Sequence, residues 1–342
     1  MFITKDRRKI NDILREESGT LTVLKLSKRA SEFTGNVRVI CHESKIRSMC
    51  NLKSLNLYDN SITSLEGIGL LSQTPIENIN LGCNKIDRLP LEFGALSTLT
   101  ELWLDDNEFE QFPTAVCQLK QLRALKLSGN SIKFVPGLIS TLHQLEALSL
   151  DNNELSDFPE GVLLLDLKSL WLRQNRISQL PSSLDSLAGS LQVLSLSSNL
   201  LTELPECVAQ LHSLRKLFAN GNQISEVPET LCLLPDLEEV NLSNNRIALL
   251  PDLWVSMWGE PNTSTGMLEK GAEGAEGGAK GVQVVKVMLL GNPVALPPAP
   301  APSPKKAKLS ASSAAASAAA SASASVSAAT TPASPAAPAA PA

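Results

Sequence analysis

Leu122-Arg123-Ala124-Leu125-Lys126-Leu127-Ser128-Gly129-Asn130-Ser131-Ile132-Lys133-Phe134-Val135-Pro136 is the stretch that decides the fold. Its apolar residues stand at places one, four and six, followed by Asn at nine, an apolar pair, and Pro. The same spacing returns with Asn at 60, 84, 107, 130, 153, 175, 199, 222 and 245, at intervals of 22 to 24 residues. A tenth match, Val284-x-x-Val287-x-Leu289-x-x-Asn292, lies 47 residues after Asn245, about two periods on. A period of this length marks a solenoid, in which each coil is one supersecondary unit and neighbouring coils supply its core.

Each place in the unit has a physical reason. Alternating leucines turn inward along a short strand, and strands of successive coils pair in parallel. The Asn amide carries two donors and an acceptor, enough to satisfy backbone groups where the chain leaves the strand. Eight units place Pro after the apolar pair: Pro90, Pro113, Pro136, Pro159, Pro181, Pro205, Pro228 and Pro251. Proline fixes φ and lacks an N–H, which suits the start of a short convex helical turn. The expected fold is α/β: a curved parallel sheet on the concave side, with short helical or irregular segments on the convex side. At about 4.8 Å per strand, the inner arc runs to roughly 43 Å.

Composition agrees. About one residue in six is Leu, and only 4% of the 342 residues are aromatic. A net charge of −5 gives no global pull towards nucleic acid, and no nucleic-acid partner is expected. No stretch of 18 uncharged apolar residues appears, so no membrane insertion is expected. The start, Met1 to Lys9, lacks the apolar core of a signal peptide, and acidic Asp6, Asp12, Glu16 and Glu17 argue against a transit peptide. A cytoplasmic protein is the expectation, with the nucleus as the alternative. Cys41, Cys50, Cys83, Cys117, Cys207 and Cys232 are dispersed with no C-x-x-C pair, so reduced, space-filling thiols are expected.

Five segments are expected. Residues 1–50 form an N-terminal cap, with an independent interaction module as the alternative. Within it, residues 4–18 read as an amphipathic helix presenting Ile10, Ile13 and Leu14, stopped by Gly19. Leu21-x-x-Leu24-x-Leu26 and Val39-x-Cys41-x-x-Ser44-x-Ile46-x-x-Met49 follow as two degenerate coils too short for a convex helix. Residues 51–258 hold nine repeats, with Trp254 and Met257 in the convex slots that Leu231 and Leu234 fill one coil earlier. Residues 259–283 read as a flexible Gly/Glu-rich insert; its glycine run lacks the Gly-Lys-Ser/Thr of a phosphate loop. Residues 284–296 form a terminal strand and cap, with Val285, Met288 and Leu290 outward and some flanking segment expected to cover them. Residues 297–342 are an Ala/Ser/Pro-rich disordered tail. It contains Pro304-Lys305-Lys306-Ala307-Lys308, a short import-like run, and Ser303, Thr331 and Ser334 before prolines.

The leucines are committed to the core, so function falls to the outward third, fifth and seventh places. The fifth column contains Trp103, Lys126, Trp171 and Phe218; the seventh contains Tyr58, Asp105, Asp151, Arg173 and Asn220; Glu101 stands in the third. Four of the chain's thirteen aromatic residues fall in two of these columns. Exposed aromatics at the centre of a concave sheet match the composition of binding hot spots. Two readings are open: an aromatic-anchored site for a protein partner, or rings that lie along the sheet and cover their neighbours. No Ser/His/Asp group, acid–base pair or metal cluster is assembled, and His143 and His212 fall in convex segments; no catalysis, cofactor or metal is expected.

The unit Leu-x-x-Leu-x-Leu-x-x-Asn-x-Leu/Ile-x-x-Leu/Val-Pro, at a 23-residue period over roughly 52–296, carries the leucine-rich-repeat signature. It resembles the Ras-group intracellular leucine-rich-repeat proteins. That resemblance implies a non-catalytic scaffold or adaptor in signalling, with a small GTPase or a phosphatase-pathway component as partner. The first unit departs: Asn60-Ser61-Ile62-Thr63-Ser64-Leu65-Glu66-Gly67-Ile68 has no Pro and is similar to the regulatory subunits that bind protein phosphatase 1. The alternative function is accordingly a specificity or regulatory subunit of a larger enzyme, either a phosphatase regulator or a ubiquitin-ligase substrate receptor. No F-box-like helical module precedes the repeats, which weighs against the ligase version.

Overall fold

The structure, a computed structural model, describes residues 8–17, 19–259, 261–262, 267–269 and 285–294. Residues 4–7 of the expected first helix, the glycine run of the insert, and the tail with its basic run and Ser-Pro and Thr-Pro sites lie outside the described residues.

Among the described residues, alternation of apolar side chains produces twelve three-residue strands: β1 (Val23–Lys25), β2 (Ser54–Asn56), β3 (Asn78–Asn80), β4 (Glu101–Trp103), β5 (Ala124–Lys126), β6 (Ala147–Ser149), β7 (Ser169–Trp171), β8 (Val193–Ser195), β9 (Lys216–Phe218), β10 (Glu239–Asn241), β11 (Met267–Glu269) and β12 (Lys286–Met288). They form one sheet in the order β1 to β10, then β12, then β11. Every pairing is parallel except that of β11 with β12. The register never slips, so equivalent places of successive units stand side by side. Each central strand residue, Leu102, Leu125, Leu148, Leu170, Leu194 or Leu217, is buried beneath the sheet.

A ladder of asparagines joins the coils. Asn153 Nδ2 donates to the carbonyls of Leu150 in its own coil (3.1 Å) and Leu127 in the coil before (2.9 Å), while its Oδ1 accepts from Ile132 N (3.0 Å). Asn107, Asn130, Asn175, Asn199, Asn222 and Asn245 repeat the pattern and are all buried. Just before the ladder Asn, the chain bends through the left-handed region at Asp59, Cys83, Asp106, Gly129, Asn152, Gln174, Ser198, Gly221, Asn244 and Gly291. No β-branched residue occupies this column, as the steric cost of positive φ demands. On the convex side, 3₁₀ turns begin directly after Pro90, Pro113, Pro136, Pro159, Pro205 and Pro228.

The ends depart from the sequence reading. Helix α1 spans Ile10–Glu16, with Ile10, Ile13 and Leu14 buried and Gly19 at positive φ beyond it. Residues 21–50 form one long coil instead of two short ones: β1 pairs with β2, and the return path uses α2 (Ala30–Phe33), α3 (Glu43–Ile46) and 3₁₀ turns around them. Val39, Cys41, Ile46 and Met49 serve this convex path; they mimic strand spacing because short helices also recur every three or four residues. At the other end, α4 (Asp252–Trp258) buries Trp254 and Trp258, their ring centroids 4.9 Å apart, and leaves Met257 half-buried. The 3₁₀ spacing of the earlier turns favoured Met257; an α-helix instead brings i and i+4 together. Strand β11, within the stretch read as flexible, closes the sheet antiparallel to β12. Val285 is buried and not outward, whereas Leu290 is 61% exposed. All six cysteines are free thiols, and burial pushes Cys41 up to about 12.

Removing a ladder amide leaves several buried polar groups unpaired at about 1–3 kcal/mol each. Asn153→Ala is expected to cost about 3 kcal/mol or more in urea unfolding. Asn292→Ala, at the half-exposed last rung where water can substitute, costs about 1 kcal/mol.

Candidate protein-binding face

The sheet's register fixes which side chains meet on the concave side. Across β3 to β9 one row reads Asn80, Trp103, Lys126, Ser149, Trp171, Ser195 and Phe218. Two residues further along each strand, the seventh-place row holds Tyr58, Asp105, Asp151, Arg173 and Asn220, and Glu101 begins β4. The residues singled out from sequence therefore share one face. They are not equally available. Trp103, Trp171 and Phe218 are half-buried, while Glu101, Lys126 and Arg173 are exposed.

The rings divide into two environments. Ser195, between Trp171 and Phe218 in register, is buried although it stands in an outward column, and so is Ser197 beside Asn220. Trp171 and Phe218 are the large residues on either side of Ser195 in register. Trp103 instead faces a cation: Lys126 Nζ sits 4.7 Å from its ring centroid. Beside it a shallow depression of about 230 Å³ is lined by Lys25, Asn56, Asn80, Glu101 and Trp103. Gly82 keeps the neighbouring seventh place open, since a Cβ there would come within 3.3 Å of the Tyr58 ring. The nearby Cys83 thiol raises the Tyr58 pKa.

Asp105 and Asp151 each hold a backbone amide of the following coil. Asp105 Oδ1 accepts from Ser128 N (2.9 Å), and Asp151 Oδ1 accepts from Arg173 N (2.7 Å). Burial nonetheless pushes both carboxyls above the ordinary aspartate range. Neither forms a salt bridge with a described residue; Lys126 and Arg173 act on them only at longer range. By contrast, the rim at the second place is neutralised internally. Lys53 pairs with Glu77 (2.8 Å), Glu146 bridges Arg123 (3.1 Å) and Lys168 (2.7 Å), and Arg215 pairs with Glu238. This ladder of alternating sign could be read by aligning the second places of the units. Net charge hides a further asymmetry: residues 1–53 carry 12 Lys and Arg against 6 Asp and Glu, residues 54–258 carry 12 against 25. Among the described residues no group of three His, Cys, Asp or Glu could hold a metal ion.

The family description "Leucine-rich repeat" matches residues 115–218, and "Leucine Rich repeats (2 copies)" matches 212–253. The chain carries a leucine-rich-repeat solenoid. Rat (Rattus norvegicus) osteomodulin is 30% identical over 189 residues, which cover 51% of this chain and 44% of osteomodulin. The chain thus spans less than half the length of that curated relative. Among solved structures, a Leptospira interrogans LRR protein shares 24% identity over 74% of this chain and 80% of its own, at a TM-score of 0.54. A TDR receptor shares 23% over 73% and 43% at 0.61. A Listeria monocytogenes internalin shares 20% over 64% and 68% at 0.52. These likenesses show the leucine-rich-repeat fold.

The raised carboxyls set the sign of a pH effect. An acid whose folded pKa lies above its unfolded value adds stability at low pH, and that contribution is lost as pH rises through the folded pKa. Asp105→Asn keeps the acceptor for Ser128 N and removes the charge. It is expected to melt above wild type at pH 7, with the gain vanishing as pH falls below about 3.8, the ordinary Asp value.

Proposed function

We propose that this protein is a non-catalytic scaffold or adaptor that holds a protein partner on its concave face. The observation that carries the reading is that the sheet register sets Trp103, Lys126, Trp171 and Phe218 in one row, with only Ser149 and Ser195 between them. Half-buried aromatics gain from further desolvation, and their rigid rings lose little entropy when a partner covers them. Internally paired rim charges leave the floor of the face, not its edge, to discriminate. Cytoplasmic signalling, with a small GTPase or phosphatase-pathway component as partner, is the proposed setting: six free thiols suit a reducing compartment, and the repeat resembles that of the Ras-group scaffold and adaptor proteins.

Affinity capture from native lysate, wild type beside Trp103→Ala/Trp171→Ala, tests the proposal. Loss of a specific partner from the double variant, with its melting temperature retained, is the expected result. Identical partners on both proteins would reject the concave aromatics as the working site.

A further inference from the structure

The floor of the face between β4 and β7 is incomplete in one chemical respect. Asp105 and Asp151 are half-buried, each with one oxygen committed to a backbone amide, and neither meets a cation within salt-bridge distance. Lys126 and Arg173 reach these partly buried carboxylates only through space, so neither carboxylate has a cation in contact to offset its desolvation, which pushes both pKa values up. Each stands near a tryptophan: Trp103 lies two residues before Asp105 on the same coil, and Trp171 lies on the strand next to Asp151's. That such a ring takes a cation here is visible, because Lys126 already sits over Trp103. The repeats around this floor are strongly acidic, with 25 Asp and Glu against 12 Lys and Arg over 54–258.

We propose that the concave face between β4 and β7 binds an extended, arginine-bearing protein segment, with two guanidinium groups on Asp105 and Asp151 beside Trp103 and Trp171. This rests on the concave face being the binding surface. Arginine fits better than lysine, because a planar guanidinium donates to a carboxylate and stacks on an indole at once. Geometry sets the spacing. Asp105 and Asp151 belong to coils two ladder steps apart, roughly 9.6 Å. A peptide crossing the strands in the polyproline II conformation advances about 3.1 Å per residue with three residues per turn, so residues three apart share one face at about 9.3 Å, and its arginines stand three residues apart. The resulting pattern is Arg-x-x-Arg. Exposed Lys126 and Arg173 flank the track, so the segment carries no further cation between the two arginines.

The test uses the full chain and a fluorescein-labelled twelve-residue Gly/Ala/Ser peptide with Arg at positions five and eight, followed by anisotropy. The wild type is expected to bind it, at least tenfold more tightly than a peptide with Gln at both places, and more weakly as salt rises. Asp105→Asn/Asp151→Asn keeps both amide acceptors and is expected to lose at least tenfold in affinity without losing its melting temperature. Absence of binding, equal binding of the Gln peptide, or unchanged affinity in the Asn variant would each overturn the proposal. If the tryptophan double variant loses its captured partner while the Asp→Asn variant keeps it, the concave face stands and the arginine assignment fails.

Discussion

One amide per coil holds this molecule together. The ladder asparagine satisfies two carbonyls and one N–H that the tight exit from each strand would otherwise bury unpaired, and it does so across two coils at once. Without it, the strand could not turn within three residues while its leucines remain packed. The leucines supply the driving force by burial, but they are interchangeable in direction. The amide is not: it sets where the coil bends and therefore which residues face outward. The left-handed residue before it completes the bend.

From that constraint follows the layout of the concave face. Because every coil bends at the same place, equivalent side chains line up in straight rows across the sheet, and chemistry scattered at intervals of about 23 residues becomes contiguous. The face is also where stability has been given up. Asp105 and Asp151 serve the backbone, yet an amide side chain could accept the same hydrogen bonds without charge.

The repeating part of the fold was legible because its signal is redundant: eight nearly regular intervals leave little freedom in strand, turn and outward column. The ends were not, because a cap occurs once. Val39, Cys41, Ile46 and Met49 have an apolar rhythm shared by short helices and degenerate strands, and only pairing of β1 with β2 decides between them. Trp258 displaced Met257 because α4 abandons the 3₁₀ spacing of earlier turns. Strand β11 gave no sign in a glycine- and glutamate-rich stretch. Within the site, columns could be assigned from sequence, but depth could not. Ser195 is buried and Lys126 exposed in the same row, since depth depends on the size of the neighbours across the ladder. The sequence contained two further signals, the alternating rim charges and the glycine- and Asn-rich bend column, which appear once the repeats are aligned place by place.

Tryptophan fluorescence gives the most direct test of the concave face as the working surface, because the four tryptophans report from two regions. Trp103 and Trp171 are half-buried on the face, whereas Trp254 and Trp258 are buried at the C-terminal end of the repeats. Acrylamide quenching of the free chain should resolve an accessible and a protected pair, with the accessible component absent from Trp103→Phe/Trp171→Phe. With a captured partner bound at saturation, that component should become protected. Quenching of the accessible pair that stays the same with the partner bound would contradict the account and place the interaction elsewhere on the molecule.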